Sequence, residues 1–269
     1  MKAAFLILLL LLATATSAQQ KRADPNKFAL IIDGAGGDAA YAKQFEEWTT
    51  ELKSALSDRY GFGGQQTTVL PHATAEDVKR TFAQLKSQLD TNNVLFVFLI
   101  GHGSFDGKES KFNLVGPDLS ASDYNALLSA LPTRRVVVFN MSSASGEFVK
   151  SLSAKGRIVI TATRNGQESN ATRFTGFFIA ALNANDADTD QDGHISVLEA
   201  FVYANRLTAD FYTRAGRLAT EHALLEDNGD GVGQEKAEAG EGLLARATYL
   251  DSLSIDEAAA NAATGRLMK

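Results

Sequence analysis

The chain contains no cysteine among its 269 residues. That absence excludes a disulfide framework, a lipid-anchor cysteine behind a leader segment, and a thiol nucleophile anywhere in the protein. An excess of positive charge is also absent, because the formal net charge is -6. This charge argues against nucleic acid or an anionic membrane as the main partner.

Long apolar runs are rare as well. The one extended run, residues 3–13, follows Lys2 and precedes the small residues Thr16-Ser17-Ala18, which is the pattern of a secretory signal. It is too short to span a membrane, and no later segment reaches the roughly 18 apolar residues that a spanning helix requires. We therefore predict a signal peptide over residues 1–18, cleaved near Ala18, and an exported protein, periplasmic or secreted, without a membrane span.

The remaining apolar residues alternate between short strand-like runs and stripes at helical spacing. Polar or glycine-rich turns separate the runs, and apolar residues three or four positions apart recur between them. The predicted strands are residues 28–32, 67–70, 94–100, 135–139 and 157–161. Such alternation predicts an α/β fold in which helices cover both faces of a mostly parallel sheet. Ligands of such sheets bind at the carboxyl ends of the strands.

Two of these strands end in loops with chemically useful residues. Gly101-His102-Gly103 follows one strand, and the segment 140–146, with the sequence Asn-Met-Ser-Ser-Ala-Ser-Gly, follows the next. Because both loops lie at carboxyl ends of predicted parallel strands, we expect His102 and Ser143 to face the same cleft. A hydroxyl beside an imidazole is the starting arrangement for nucleophilic catalysis, but a serine also needs a third group that orients the base.

Residues 188–199 match the twelve-residue EF-hand calcium loop. Helical apolar stripes precede and follow the loop, as the motif requires. Gly193 allows the sharp turn at position 6. The predicted oxygen ligands are Asp188, Asp190 and Asp192, the carbonyl of His194, Ser196 through a water molecule, and Glu199 as the bidentate closing ligand. We therefore expect Ca2+ to bind here, with the His194 side chain facing solvent.

A second acidic segment, Asp227-Asn228-Gly229-Asp230-Gly231, begins like a calcium loop. Counted from Asp227, however, position 6 is Val232 instead of glycine. Two interpretations remain open: a glycine-rich turn after a long helix predicted over residues 200–225, or an auxiliary cation site.

Two weaker features border the predicted cleft. The segment 34–39, Gly-Ala-Gly-Gly-Asp-Ala, has the form of a dinucleotide fingerprint. The acidic residue expected at the end of the next strand is missing, so we favour a tight turn that lines the cleft. Glu168 follows the strand at 157–161 and either lines the cleft beside Ser143 or is a solvated loop acid. His72 and His222 have no matched partner in the sequence.

Over about residues 27–182 the sequence resembles the legumain-like branch of the caspase-fold peptidases. Leu99-Ile100-Gly101-His102-Gly103 and Ser145-Gly146 carry the resemblance, together with the order of strands and helices. The resemblance implies a caspase-like three-layer sandwich with a mostly parallel central sheet. It also implies that His102 is the catalytic base and that the amide of Gly103 stabilises the oxyanion.

The sequence departs from that family at the residues that matter most for activity. Ser143 stands where the family has its nucleophilic cysteine, Met141 replaces a pocket carboxylate of legumains, and Ala42 replaces a pocket arginine. Specificity for asparagine therefore does not transfer to this chain. Asp106 and Asp118 are the acids within loop reach of His102, and neither has an evident orienting role.

These observations divide the chain into four parts. We expect a signal peptide (1–18), a caspase/legumain-like domain (19–182), an EF-hand-like helix-loop-helix with its exiting helix (183–225), and a C-terminal helical tail (226–269). The expected function is that of an exported calcium-binding peptidase homologue, inactive as a cysteine peptidase, which binds a peptide or protein ligand or acts as a regulatory scaffold. The alternative is an active hydrolase with a Ser143–His102 dyad, whereas a purely structural calcium module would leave His102 unexplained.

Overall fold

The apolar runs of the sequence form the centre of one six-stranded sheet. The computed structural model describes residues 23–237 and 240–251, so the predicted signal peptide and residues 252–269 of the predicted tail lie outside the described residues. The strands are β1 (Lys27–Asp33), β2 (Thr67–Leu70), β3 (Val94–Ile100), β4 (Gly103–Phe105), β5 (Ser110–Phe112), β6 (Leu119–Ser120), β7 (Arg135–Asn140), β8 (Arg157–Thr161) and β9 (Leu224–Glu226). The helices are α1 (Ala39–Tyr60), α2 (Ala75–Gln88), α3 (Ala121–Ser129), α4 (Phe148–Leu152), α5 (Phe174–Asn183), α6 (Val197–Arg214) and α7 (Leu243–Arg246).

The strand order in the large sheet is β2-β1-β3-β7-β8-β9. All pairs are parallel except β8 with β9, which is antiparallel. A second sheet, β4-β5-β6, is antiparallel and leaves the large sheet directly after β3. The predicted α/β class with a mostly parallel central sheet is therefore confirmed.

Two separate apolar cores cover the two faces of the sheet. Side chains alternate in direction along a strand, so Phe96 and Phe98 of β3 enter one core while Leu95, Val97 and Leu99 enter the other. The first core contains residues of α1, α5 and α6, and the second contains residues of α2, α3 and α4. Every residue of β3 is buried, which explains why its sequence is continuously apolar. The molecule is a three-layer sandwich, as predicted.

Local sequence signals fix where several helices begin. The Thr74 side chain accepts a hydrogen bond from the Asp77 amide, and the Asp77 carboxylate bonds back to the Thr74 amide, which is a capping box at the start of α2. Ser196 and Glu199 form the same device at the start of α6. Both helices therefore begin with paired donors and acceptors at the first turn.

The second half of the chain differs from the sequence-based expectation. The helix predicted over residues 200–225 ends at Arg214, and Gly216 then adopts a φ of +61° as the chain reverses. Residues 224 and 225, predicted as the end of that helix, instead form β9 together with Glu226 at the edge of the large sheet. Pairing with the buried strand β8 overrides the helical propensity of this short segment. In the described part of the chain, no helix has both the length and the apolar character that crossing a membrane demands.

A buried carboxylate terminates β1. Asp33 is 1% exposed, and within the described residues its Oδ1 has no hydrogen-bond partner. Burial raises the pKa of Asp33 to about 6, although the charge of His72 opposes that shift. The folded protein therefore holds a proton on Asp33 at pH values where the unfolded chain has released it.

We predict that Asp33→Asn raises the stability of the protein only above about pH 4. Since the folded pKa is raised, the wild type loses stability as the pH rises from the unfolded value of 3.8 through about 6. The variant lacks this loss, so its advantage should reach about 3 kcal/mol at pH 8, at about 1.4 kcal/mol per pKa unit. Urea unfolding of both proteins at pH 4 and pH 8 measures the difference in their free energies of unfolding.

The matched control is Asp58→Asn, because Asp58 is an exposed acid of α1. Its free energy of unfolding should differ from wild type by no more than about 0.5 kcal/mol at either pH. An Asp33→Asn variant that is less stable than wild type at pH 8 would contradict the prediction.

Candidate functional site

The two loops predicted to share a cleft are joined by a reciprocal hydrogen bond. Leu99 of β3 pairs with Asn140 of β7, so the loops after these strands leave the sheet side by side. The Gly103 amide donates to Ser143 Oγ, and Ser143 Oγ donates to the Gly103 carbonyl oxygen, both at 3.1 Å. A Cβ atom at Gly103 would lie 2.2 Å from the Ser143 carbonyl oxygen, which explains why glycine is needed at this close approach.

Ser143 and His102 lie at the same edge of the sheet but are not hydrogen bonded to each other in the described residues. The Ser143 residue is 2% exposed. The His102 ring instead packs edge-on against Tyr41 and Phe45, with centroid distances of 4.7 and 5.0 Å. Burial lowers the pKa of His102, partly opposed by a backbone hydrogen bond to Gly36. The imidazole is therefore neutral near pH 7 and turned towards α1.

The two acids considered as orienting groups for His102 have other partners. Asp106 Oδ1 accepts hydrogen bonds from the amides of Glu109 and Lys108, which lower the Asp106 pKa to about 2. Asp118 Oδ1 accepts from the Leu114 amide. Neither acid hydrogen bonds to His102 within the described residues, so no Ser-His-acid triad is assembled there.

The loop that contains Ser143 is hydrogen bonded to the loop that follows β8. Ala144 adopts a left-handed φ of +51°, and its amide donates to the Glu168 carbonyl oxygen at 2.8 Å. The Ser145 and Gly146 amides both donate to Thr163 Oγ1. The loop that contains Ser143 is thus held in a strained conformation by backbone and hydroxyl contacts.

Glu168 is not a solvated acid. Its carboxylate is mostly buried, with Oε1 2.5 Å from His222 Nδ1 and 3.1 Å from Arg164 Nε. The sequence shows no partner for His222, and the structure supplies one from 54 residues away. The pair links the loop after β8 to the segment before β9.

The positions of the two replaced pocket residues are apolar and packed. Met141 is fully buried in the core, and its carbonyl oxygen accepts hydrogen bonds from the hydroxyls of Thr172 and Thr175. Ala42 lies against Gly36, where an added Cβ would come within 2.6 Å of the Ala42 backbone. Neither position offers a charge to a substrate side chain.

The glycine-rich segment 34–39 forms the turn between β1 and α1. Asp38 is the N-cap of α1, and its carboxylate accepts hydrogen bonds from the amides of Ala40 and Tyr41. A nucleotide phosphate would need these same amides. The capping carboxylate therefore favours the tight-turn interpretation over dinucleotide binding.

The loop predicted to bind calcium brings its acidic residues together. Carboxylate oxygens of Asp188, Asp190 and Asp192 all lie within 4.8 Å of one another, and Gly193 makes the turn with a φ of +83°. Burial raises the pKa of Asp190, and the charges of Glu199 and Asp192 add to that shift. Hard oxygen ligands that repel one another in this way suit Ca2+, which would neutralise them.

The predicted ligands at the end of the loop are engaged in local hydrogen bonds. Glu199 Oε1 accepts from the amides of Thr189 and Asp190, and Oε2 accepts from the amide and hydroxyl of Ser196. These bonds draw the two ends of the loop together. They hold the Glu199 carboxylate beside the start of the loop, where a closing ligand belongs.

The prediction that the His194 side chain faces solvent is wrong. His194 Nδ1 lies 2.7 Å from Asp251 Oδ2, and Tyr249 packs against the ring while its hydroxyl donates to Asp192 Oδ2. The Leu250 amide also donates to the Ile195 carbonyl oxygen. Residues 248–251 form a strap over the loop that the sequence pattern did not indicate, because it returns from far along the chain.

Asp227, the first residue of the second acidic segment, has a structural role. Its carboxylate accepts hydrogen bonds from the amides of Gly242 and Ala245 and so holds the start of the short helix α7. The acids around it, Glu226, Asp230 and Glu241, converge within 4.8 Å. Glu226 and Glu241 were missed in the sequence, since one precedes the motif and the other follows it by ten residues.

Comparison with known proteins gives likenesses of fold. No protein-family model and no curated protein matches the chain. Among solved structures, the chain is similar to a Geobacter sulfurreducens protein determined as a structural genomics target, with a TM-score of 0.50 and 16% identity over 75% of this chain and 93% of that one. It is also similar to caspase-1 from Spodoptera frugiperda, with a TM-score of 0.49 and 11% identity over 77% of this chain and 87% of that one. At such identities a likeness concerns the fold and transfers no activity.

Proposed function

We propose that this chain is an exported, calcium-binding, legumain-like homologue of the caspase-fold peptidases that has lost peptidase chemistry and serves as a scaffold for a peptide or protein ligand. The hydrogen bonding of Ser143 is the observation that supports this most directly. Its hydroxyl, at the nucleophile position, donates to and accepts from the backbone of Gly103. The family resemblance assigns the Gly103 amide to the oxyanion. Here that amide donates to the Ser143 hydroxyl instead, so the two groups that catalysis would use are hydrogen bonded to each other.

The surroundings of His102 support the same proposal. A serine hydroxyl stays protonated unless a positioned base accepts its proton, and the base needs an orienting group. The His102 ring contacts Tyr41 and Phe45 and has no hydrogen bond to Ser143 in the described residues. The arrangement favours binding over covalent chemistry.

A ligand surface remains next to this inactive centre. Residues 102–105 are half-buried and present an imidazole, a hydroxyl and an aromatic ring in sequence. Phe105 packs on Gly166, where an added Cβ would come within 2.3 Å of the ring. This packing pins the β4 hairpin to the loop after β8, which gives a peptide a preformed edge to contact.

We predict that Ca2+ raises the melting temperature of the protein and that Asp190→Asn reduces this shift. Binding to the folded state alone stabilises it by about 2.7 kcal/mol at a hundredfold excess over the dissociation constant. The variant removes one ligand charge, so it should bind Ca2+ more weakly. Without Ca2+ it should be at least as stable as wild type, because repulsion by Asp192 and Glu199 is relieved.

The control for this experiment is Asp210→Asn, an exposed acid of α6 outside the loop, whose calcium response should equal that of wild type. Thermal melts in Ca2+ and in chelator measure all three proteins. Equal shifts in wild type and Asp190→Asn would show that residues 188–199 do not bind calcium.

We further predict that wild-type Ser143 is not labelled by acyl or phosphonate probes. In Ser143→Cys the new thiol is the only one in the protein, so thiol labelling is specific to that site. Its reaction with iodoacetamide should be roughly tenfold slower than that of an exposed thiol in Ser87→Cys, because position 143 is buried and the reagent reaches it poorly. Mass spectrometry of the time course gives both rates.

The outcome that would contradict this prediction is covalent labelling of wild-type Ser143 that disappears in His102→Ala. That result would establish the alternative function, a hydrolase with a Ser143–His102 dyad.

A further inference from the structure

The second acidic segment matches the first half of a calcium loop when it is counted from Glu226 instead of from the aspartate that follows. Glu226, Asn228 and Asp230 then occupy positions 1, 3 and 5, and Gly231 occupies position 6. The φ of Gly231 is +80°, and that of Gly193, at position 6 of the first loop, is +83°. The turn geometry and the spacing therefore agree in the two loops.

The two loops also share their internal hydrogen bonds. In each, the amide of position 5 donates to the side-chain oxygen of position 3, and the amide of position 7 donates to the carboxylate of position 5. These distances are 3.3 and 2.9 Å in the first loop and 2.8 and 2.7 Å in the second. Side chains at positions 3 and 5 are thus held the same way in both.

The second loop receives its closing carboxylate from farther along the chain. Position 12 is Ala237, which offers no side-chain oxygen. Glu241 takes that place, since its carboxylate lies within 4.8 Å of those of Glu226 and Asp230. Glu241 is buried, and the amide of Asp227 donates to its Oε2 at 3.0 Å.

Glu226 provides the observation that distinguishes this cluster from a group of solvated acids. It is 0% exposed, and within the described residues its Oε2 has no hydrogen-bond donor. An unpaired buried carboxylate oxygen carries a large desolvation cost. The positive charge of Arg157 acts on Glu226, but the Arg157 NH1 group donates to Asn125 and to the Leu152 carbonyl oxygen. Arg157 therefore compensates the charge of Glu226 only in part.

We propose that Glu226, Asp230 and Glu241 bind a second calcium ion, with the side-chain oxygen of Asn228 available as a neutral ligand. Three carboxylates and an amide oxygen are the hard ligands that Ca2+ prefers, and a loop with this spacing suits its flexible coordination. The ion supplies the missing partner of Glu226 Oε2. The site connects the edge strand β9 to the segment that leads into α7, and it is separate from the first loop.

The test is a calorimetric titration of the full chain with CaCl2 in a variant whose first loop is disabled, Asp190→Asn/Asp192→Asn. Wild type should bind two ions per chain and this background should bind one. Adding Asp230→Asn or Glu241→Gln to the background should weaken the remaining site at least about tenfold, as expected for the loss of one charged ligand. Asp230 is exposed, so its variant keeps the fold, which circular dichroism verifies.

The matched control in the same background is Glu235→Gln, an exposed acid near the loop whose carboxylate lies 3.8 Å from Arg164. Its affinity for Ca2+ should be unchanged. A background variant that binds no Ca2+, or whose affinity ignores both Asp230→Asn and Glu241→Gln, would overturn the proposal, and binding of Mg2+ alone would overturn its assignment to calcium. If the first loop does not bind calcium, the pattern is different. Wild type and background then each bind one ion with equal affinity, and Asp230→Asn weakens that binding.

Discussion

The parallel pairing of β3 with β7 is the contact on which the rest of the structure depends. Both strands are buried along nearly their whole length, so helices must cover both faces and polar side chains can emerge only where the strands end. Their register brings the loops that contain His102 and Ser143 side by side. The same closeness makes Gly103 indispensable, because the opposing backbone fills the space a side chain would need.

The hydroxyl of Ser143 decides what that junction can do. Ser143 uses its hydroxyl as donor and acceptor towards one residue, Gly103, whereas a thiol is a weaker hydrogen-bonding group that ionises more readily beside an imidazole. The hydroxyl therefore joins the two loops through two hydrogen bonds. These hydrogen bonds stabilise the edge of the sheet that the proposed ligand would contact.

Convergence of acidic groups is the second constraint on the molecule. Carboxylates converge in two places, around Asp190 and around Glu226, and in the second place Glu226 and Glu241 are buried. The segment 241–251 joins these places, since Glu241 belongs to one cluster and the strap 248–251 covers the other. Cations at both sites would fix the two ends of one short segment, and they would thereby hold β9 and α7 to the domain.

The sequence by itself determined much of the fold, because its signals are local. Continuous apolarity marked β3, the pair Thr74 and Asp77 marked the start of α2, and the spacing of Asp188, Asp190 and Asp192 marked an acidic loop that the structure closes around those carboxylates. Each signal lies within a dozen residues, so periodicity and capping chemistry suffice to predict it.

Only the tertiary structure decided which distant groups meet. β9 forms where helix was expected, because strand pairing at a sheet edge outweighs the propensity of three residues. The contacts of His194 with Asp251, of His222 with Glu168, and of Glu241 with Glu226 join residues that no local pattern connects. The Ser143 hydroxyl bonds to Gly103, and the His102 ring packs against Tyr41 and Phe45, an outcome of loop packing that a sequence motif does not specify.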